Sequence, residues 1–209
     1  MKLKWLGHAS FKIKTDENVI YIDPFAGDDY NEKANLILVS HDHFDHSDAK
    51  KIEQIRTDST TILTTSKQAE VLKGEEMKIG ATVKVGNDVI SAIPAYNIEK
   101  QFHPKESGFL GFIVTSNGKS IYHAADTDHI PEMKGLKPTV ALLPIGGKYT
   151  MDPKEAFAAV KDIQPEIVIP MHYGNIIGNS DDANNFKELV ENSTEIKVII
   201  LKEGDEIDI

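Results

Sequence analysis

Short apolar runs broken by tight polar turns set the rhythm of this chain. Lys2 to Leu6, Ser10 to Lys14 and Val19 to Ile22 read as strands, and Phe11 and Ile13 alternate with polar neighbours as on a half-buried strand. Leu36 to Val39 is apolar throughout and reads as a buried strand. Ser47 to Arg56 reads as a helix capped by Ser47, with Ile52 and Ile55 on one face. Ile62-Leu63 is a short strand, Ser66 caps a helix through Leu72, and Val83 to Ile93 holds strands around Gly86-Asn87-Asp88. In the second half, Gly108 to Thr115 and Ser120 to His123 form a hairpin around Asn117-Gly118. Val140 to Leu143 and Ile167 to Ile169 are buried strands. Asp152-Pro153-Lys154-Glu155 opens a helix with an N-cap, a Pro at N1 and a Glu at N3. Asp181 to Glu191 is an amphipathic helix with Phe186, Leu189 and Val190 inward, and Lys197 to Leu201 is the last long strand. The pattern by itself gives a mixed α and β protein.

Composition narrows the classes. The 209 residues are enough for a real core and are read as one domain, 1–209. No apolar run approaches the roughly 20 residues that span a bilayer, so no membrane partner is expected. The stretch Met1 to His8 has no long apolar segment or small-residue cleavage site, so a secretory signal is not expected. With no cysteine, disulfides and thiolate ligands are excluded, which fits a cytoplasmic location. A formal charge of −10 and a single Arg, Arg56, argue against a broad nucleic-acid surface.

The chemistry concentrates in His41-Asp42-His43-Phe44-Asp45-His46, directly after the Leu36 to Val39 strand. Imidazole and carboxylate are the donors of catalytic zinc sites, and residues two apart on an extended segment point the same way. His41, His43 and Asp45 can therefore converge, with His46 at the start of the next segment. Asp126 and His172 also come just after apolar runs. A turn Asp and a structural His are the plain alternatives for these two.

The spacing H-x-H-x-D-H resembles the signature of the metallo-β-lactamase superfamily, and in flavour its small metal-dependent hydrolase branch that includes ascorbate-6-phosphate lactonase. The resemblance implies a four-layer αββα sandwich in the α/β (α+β) class. It implies that His41 and His43 hold one metal, and that Asp45, His46 and His172 hold a second. Ala125-Asp126-Thr127 stands where relatives carry a G-D-T-like step, which makes Asp126 the bridging ligand. Where relatives carry P-A-x-H, with its His on metal 1, this chain has Pro94-Ala95-Tyr96-Asn97. Three outcomes stay open: Asn97 binds metal 1 weakly, His103 substitutes, or the position is empty. His8 and Asp23 lie in segments that resemble the G-H-[AS]-S-F and D-P-F of the branch and are either beside the ligands or against substrate, or simply a turn His and an Asp capping a loop. His123 is either a group that orients a ligand or a packed strand histidine. Backbone amides of Gly146-Gly147-Lys148 are expected to meet an anionic group. His8, His103 and Lys148 are thus the candidate substrate contacts, and Asp45 and Asp126 the catalytic carboxylates.

The implied activity is hydrolysis of a small polar ester, lactone or phosphoester by a metal-bound hydroxide. One or two divalent metals are expected, Zn²⁺ first, with Mn²⁺ or Fe²⁺ compatible. The partner is a small-molecule substrate, and a homo-oligomer is left open. The alternatives are a nuclease on the same scaffold or a non-catalytic metal-binding protein. A redox di-iron protein is disfavoured, because such relatives carry Glu where His43 stands.

Overall fold

The computed structural model describes residues 1–174 and 176–209. The first sheet is built from β1 (Lys2–Gly7), β2 (Ser10–Lys14), β3 (Val19–Ile22), β4 (Leu36–Val39), β5 (Thr61–Thr64) and β6 (Glu75–Glu76). The second contains β7 (Thr82–Val85), β8 (Asp88–Pro94), β9 (Leu110–Ser116), β10 (Lys119–His123), β11 (Val140–Pro144), β12 (Ile167–Met171) and β13 (Lys197–Val198). The final strand, β14 (Glu206–Asp208), crosses back and pairs antiparallel with β1. Both sheets begin with antiparallel strands and continue with parallel ones, from β3 to β6 and from β10 to β13.

Parallel neighbours need a crossover, and α-helices supply it for four of the six parallel pairs. These helices are α1 (Ala49–Ile55), α2 (Ser66–Leu72), α3 (Pro153–Ile163) and α4 (Ser180–Glu191). Asp48, not Ser47, caps α1: its side chain accepts from the Lys50 and Lys51 amides. Ser66 is the first residue of α2 and Thr65 its N-cap, with no side-chain capping bond. Asp152 and Glu155 complete the expected capping box of α3, and Asn179 and Asp182 form another on α4. The Asn117-Gly118 turn has φ of 50° and 75°, as a two-residue hairpin of the primed type requires. The expected last long strand is short. Only Lys197 and Val198 pair, after which the chain leaves for β14 on the other sheet.

The inner faces meet through Phe11, Ile13, Ile20, Ile22, Leu36 and Leu38 on one side and Phe112, Val114, Ile121 and Leu142 on the other, all fully buried. Tyr21, Ile37 and Val39, on the outer face of the first sheet, pack against Ile52 and Ile55 of α1. Ala156, Val160, Ala183 and Phe186 bring α3 and α4 into the core of the second sheet. The result is the expected αββα order. Burial of each Ile, Leu or Phe contributes roughly 1.5–3 kcal/mol, so the parallel strands tolerate apolar residues on both faces. Trp5, the sole tryptophan, stacks on Tyr173 with ring centroids 5.7 Å apart, and its Nε1 donates to the His8 carbonyl at 3.0 Å. Among the described residues, no helix is long and apolar enough to cross a membrane.

This topology aims several chain ends at one edge. The pairings make β1, β3 and β4 run the same way in the first sheet, and β8, β10 and β12 in the second. The loops leaving these six strands carry the candidate residues.

Candidate metal centre

Sharp backbone turns at the strand ends present the side chains. His8, Asp23, Ala125 and His172 all have positive φ, of 50°, 46°, 56° and 57°. For residues other than Gly this left-handed conformation costs about 1–2 kcal/mol, so the surrounding packing has to enforce it. Ala125 explains why Gly is usual in the corresponding step of relatives: the position needs φ above zero, and here a methyl group is accommodated beside Ala95 and Phe109. Gly146 is needed for a different reason. A Cβ there would lie 2.5 Å from the His172 carbonyl oxygen.

Six of the eight histidines, with Asp45 and Asp126, converge at this edge. They form three overlapping groups: His41, His43 and His103; His8, Asp45, His46 and His172; and His41, His46 and Asp126. Asp126 lies between the histidines of the first two groups. Its Oδ2 is 3.2 Å from His103 Nε2, while Oδ1 is 3.3 Å from His46 Nε2 and 3.2 Å from His172 Nε2. Asp45 Oδ2 lies 3.1 Å from His8 Nε2 and 3.8 Å from His172 Nε2.

The outer nitrogens of three rings are already committed. His46 Nδ1–H donates to Asp23 Oδ2 at 2.7 Å, and Asp23 also accepts from the Ser40 amide and hydroxyl at 2.7 Å each. With the Ser40 hydroxyl proton so directed, His41 Nδ1–H donates to Ser40 Oγ at 2.8 Å. His103 Nδ1–H donates to Asn97 Oδ1 at 3.0 Å. Each bond fixes a tautomer whose Nε2 faces the centre. The Nε2 atoms of His41, His46, His103 and His172, together with Asp126 Oδ1, are buried without a hydrogen-bond partner. Unpartnered polar atoms crowded in this way are costly unless a cation sits among them. The donor set therefore fits divalent metal.

Electrostatics point the same way. Burial pushes His41 well below its usual pKa, and lowers His8 and His43, so these imidazoles are neutral near pH 7. Burial disfavours the charged form of His46 as well, but Asp126 and Asp23 outweigh it and hold this ring well above the usual value. Burial opposes ionisation of Asp45, yet the His8 hydrogen bond and the His46 charge bring it down to about 2. Against the same penalty, His172 and His46 hold Asp126 well below the carboxylate range.

Asn97 is not among the converging groups. Its Oδ1 accepts from both the amide and the ring Nδ1 of His103, at 3.0 Å each, and its Nδ2 donates to Asp128 Oδ1 and the Tyr149 carbonyl, also at 3.0 Å. The amide thus stands behind His103, whose ring occupies the position expected of residue 97. His103, expected either as a substrate contact or as the substitute for a histidine at 97, lies beside His41 and His43 and also lines the cavity over the cluster. Asp23 supports His46. Neither nitrogen of His123 is free: Nε2–H donates to the Ala9 carbonyl at 2.8 Å and Nδ1 accepts from the Ala125 amide at 3.2 Å. It is a packed strand histidine that ties the β1–β2 turn to the left-handed step at Ala125. In the loop at 146–150 two of the expected amides are engaged within the loop, Gly147 N with the Met151 carbonyl and Lys148 N with the Gly146 carbonyl. Lys148 is exposed, with Nζ 5.0 Å from the Tyr149 ring centroid. Sequence reasoning missed Ser40 and the Asp128–Lys100 pair behind Asn97, at 2.6 Å. The adjacency of Ser40 to His41 was the one available signal.

A cavity of about 490 Å³ opens over the cluster, lined by His43, Phe44, Asp45, His103, Asp126 and neighbouring residues. A larger groove of about 730 Å³ adjoins it, and the two share Asp42, His43 and Phe102.

Residues 2–172 match the model of a β-lactamase superfamily domain. A "UPF0173 metal-dependent hydrolase" of Methanoregula boonei is 37% identical and covers 100% of this chain and 98% of its own length. One from Methanopyrus kandleri is also 37% identical, covering 98% of each. The crystal structure of a metal-dependent hydrolase from Parabacteroides distasonis superimposes with a TM-score of 0.87 at 32% identity, over 97% of this chain and 93% of that one. Igni18, a metallo hydrolase from Ignicoccus hospitalis, gives 0.82 at 29% identity, over 99% and 97%. With its fold, its histidine cluster and these relatives in agreement, the chain belongs to the β-lactamase superfamily, among the UPF0173 metal-dependent hydrolases.

Proposed function

We propose that the chain hydrolyses a small ester, lactone or phosphoester at a two-metal centre, with Zn²⁺ as the metal and Mn²⁺ or Fe²⁺ as compatible substitutes. The observation that carries this reading is Asp126, whose two oxygens face two different sets of histidines. His41, His43 and His103 would hold one ion, Asp45, His46 and His172 the other, and Asp126 both. Bound there, such ions supply Lewis acidity and an activated water near neutral pH.

The protein's own groups do the rest. Asp23, Ser40 and Asn97 hold three rings in the tautomer that presents Nε2 inward. His8 donates to Asp45 Oδ2 and holds that carboxylate beside His172. With a pKa of about 2, Asp45 stays ionised and orients water rather than storing its proton. No Ser or Cys nucleophile is required. The same proposal treats residues 1–209 as one catalytic unit, cytoplasmic, acting on a small molecule and not on nucleic acid.

Metal analysis combined with assays on generic ester, lactone and phosphodiester probes tests the reading. Activity that tracks metal content, and disappears in Asp126→Asn, is expected. Turnover undiminished after complete chelation would overturn it.

A further inference from the structure

Six large apolar side chains are more than one-third exposed among the described residues, and three of them, Phe44, Phe102 and Ile176, line the cavity over the metal centre. Phe44 is 73% exposed, Phe102 46% and Ile176 39%, and Tyr149 completes the wall. Two of the rings are held in place. Phe44 stands edge-on to Phe25 at 5.9 Å and 87°, and Phe102 edge-on to Tyr149 at 4.6 Å and 89°. Exposed aromatics in fixed packing beside a reactive centre form a preorganised surface for an apolar group.

Charge points to the same occupant. Among the described residues, the lining of this cavity contains no Lys or Arg, while Asp42, Asp45 and Asp126 all contribute to it. The lysines nearest to it stand at the rim and are already engaged. Lys67 pairs with Asp42, Lys100 with Asp128 and Glu155, and Lys148 lies against the Tyr149 ring. Beyond the reacting group itself, an anionic substituent would find no Lys or Arg in the lining, and Lys67 at the rim is already paired with Asp42.

Building on the hydrolase reading above, we propose that the substrate carries a neutral aryl or branched alkyl group next to its reacting carbonyl, seated on Phe44, Phe102, Tyr149 and Ile176. Phosphorylated and carboxylated substrates are then the disfavoured members of the class. The reacting group is directed to the metals, and the wall selects what is attached to it.

Binding of metal-directed probes tests this without turnover. Calorimetry on zinc-loaded protein would compare acetohydroxamate, phenylacetohydroxamate and the monohydroxamate of succinate. The phenyl probe should bind about 10-fold or more tighter than the acetyl one, the gain expected for burying an aromatic ring. The succinate probe should bind no better than the acetyl one. Phe102→Ala and Phe44→Ala should each shrink the phenyl-to-acetyl ratio. Val71→Ser, at an exposed apolar residue outside both cavities, should leave it unchanged. Equal affinity of the phenyl and acetyl probes overturns the apolar subsite while leaving the metal centre standing, and so does preference for the succinate probe. Failure of every hydroxamate to bind the metal-loaded protein overturns the metal-centre reading and this inference with it. A dimer that Phe44→Ser dissociates, together with indifference to the phenyl group, would assign the apolar rim to self-association and refute the proposal.

Discussion

Replacing Asn97 isolates the contribution of a residue that never reaches the metal. Its Oδ1 accepts two hydrogen bonds from His103, and its Nδ2 donates two more, to Asp128 and to the Tyr149 carbonyl. In Asn97→Ala the buried His103 ring loses the acceptor that fixes its tautomer, and Asp128 loses a donor. A buried polar group left without its partner costs about 1–3 kcal/mol. Converted at about 1.4 kcal/mol per decade, this is roughly 5- to 150-fold in an equilibrium constant, which overlaps the 10–100-fold known for lost outer partners of metal ligands. The ion held by His41, His43 and His103 should therefore weaken by about 10–100-fold, and the ion held by Asp45, His46 and His172 by much less. Competition with a chromophoric chelator resolves the two affinities. In a His103→Ala background the same substitution should have almost no further effect on that ion, because the two residues act as one unit. Asn97→His should likewise weaken the site, since an imidazole at 97 would stand behind His103 and lose the amide's acceptor geometry. Two affinities unchanged by Asn97→Ala, or full additivity with His103→Ala, would refute the positioning role.

Other outcomes rest on the same geometry. Asp126→Asn should lower metal content at both positions, measurable by elemental analysis after dialysis; loss confined to one would show that the carboxylate does not serve both. Asp45→Asn should remain folded by circular dichroism yet lose most turnover, and near-normal hydrolysis by metal-loaded protein would sink its role. The raised pKa of His46 means that its ring carries a second proton, on Nε2, in the metal-free protein at pH 7, so loading should release that proton; calorimetry in buffers of different ionisation enthalpy reads it, and zero release would contradict the assignment. His41 is depressed in the folded state relative to about 6.5 when unfolded, so its contribution to metal-free stability is fully present above pH 6.5 and declines as pH falls below it. His41→Gln should flatten that part of a denaturation midpoint-against-pH profile, and an unchanged slope would argue against it.

The strands of the first half were legible because their patterns are local. Phe11 and Ile13 alternate, Leu36 to Val39 is apolar throughout, and the structure begins and ends these strands where the pattern does. The Asn117-Gly118 turn and the Asp152 capping box were legible for the same reason. Helix α1 shows the limit, since Ser47 and Asp48 are adjacent capping residues and only three-dimensional reach to the Lys50 and Lys51 amides decides between them. The short β13 and the return of β14 depend on pairing across the whole chain, which an apolar run at Lys197 to Leu201 does not encode. His103 stayed one of three open outcomes because its loop doubles back. The Asn97 amide donates to the His103 carbonyl at 2.7 Å, and the His103 amide returns to Asn97 Oδ1, so a residue six positions later fills the expected place. Sequence spacing cannot register such a fold-back, whereas His41, His43, Asp45 and His46 lie on one short segment whose spacing can be read directly.

Because His41, His43, Asp45 and His46 come after strands of the first sheet while His103, Asp126 and His172 come after strands of the second, ions at this edge would act as rivets through the seam of the sandwich. Their removal would then be felt mechanically as well as chemically, loosening the contact between halves that otherwise adhere through hydrocarbon. Ligand-linked stabilisation amounts to about 2.7 kcal/mol when free metal is 100 times its dissociation constant, so chelators should lower the melting temperature in proportion to site affinity. The sole tryptophan lies on this seam, joined through its indole N–H to the His8 carbonyl and through its ring to Tyr173, next to His172. Its fluorescence gives the protein a built-in strain gauge for the joint.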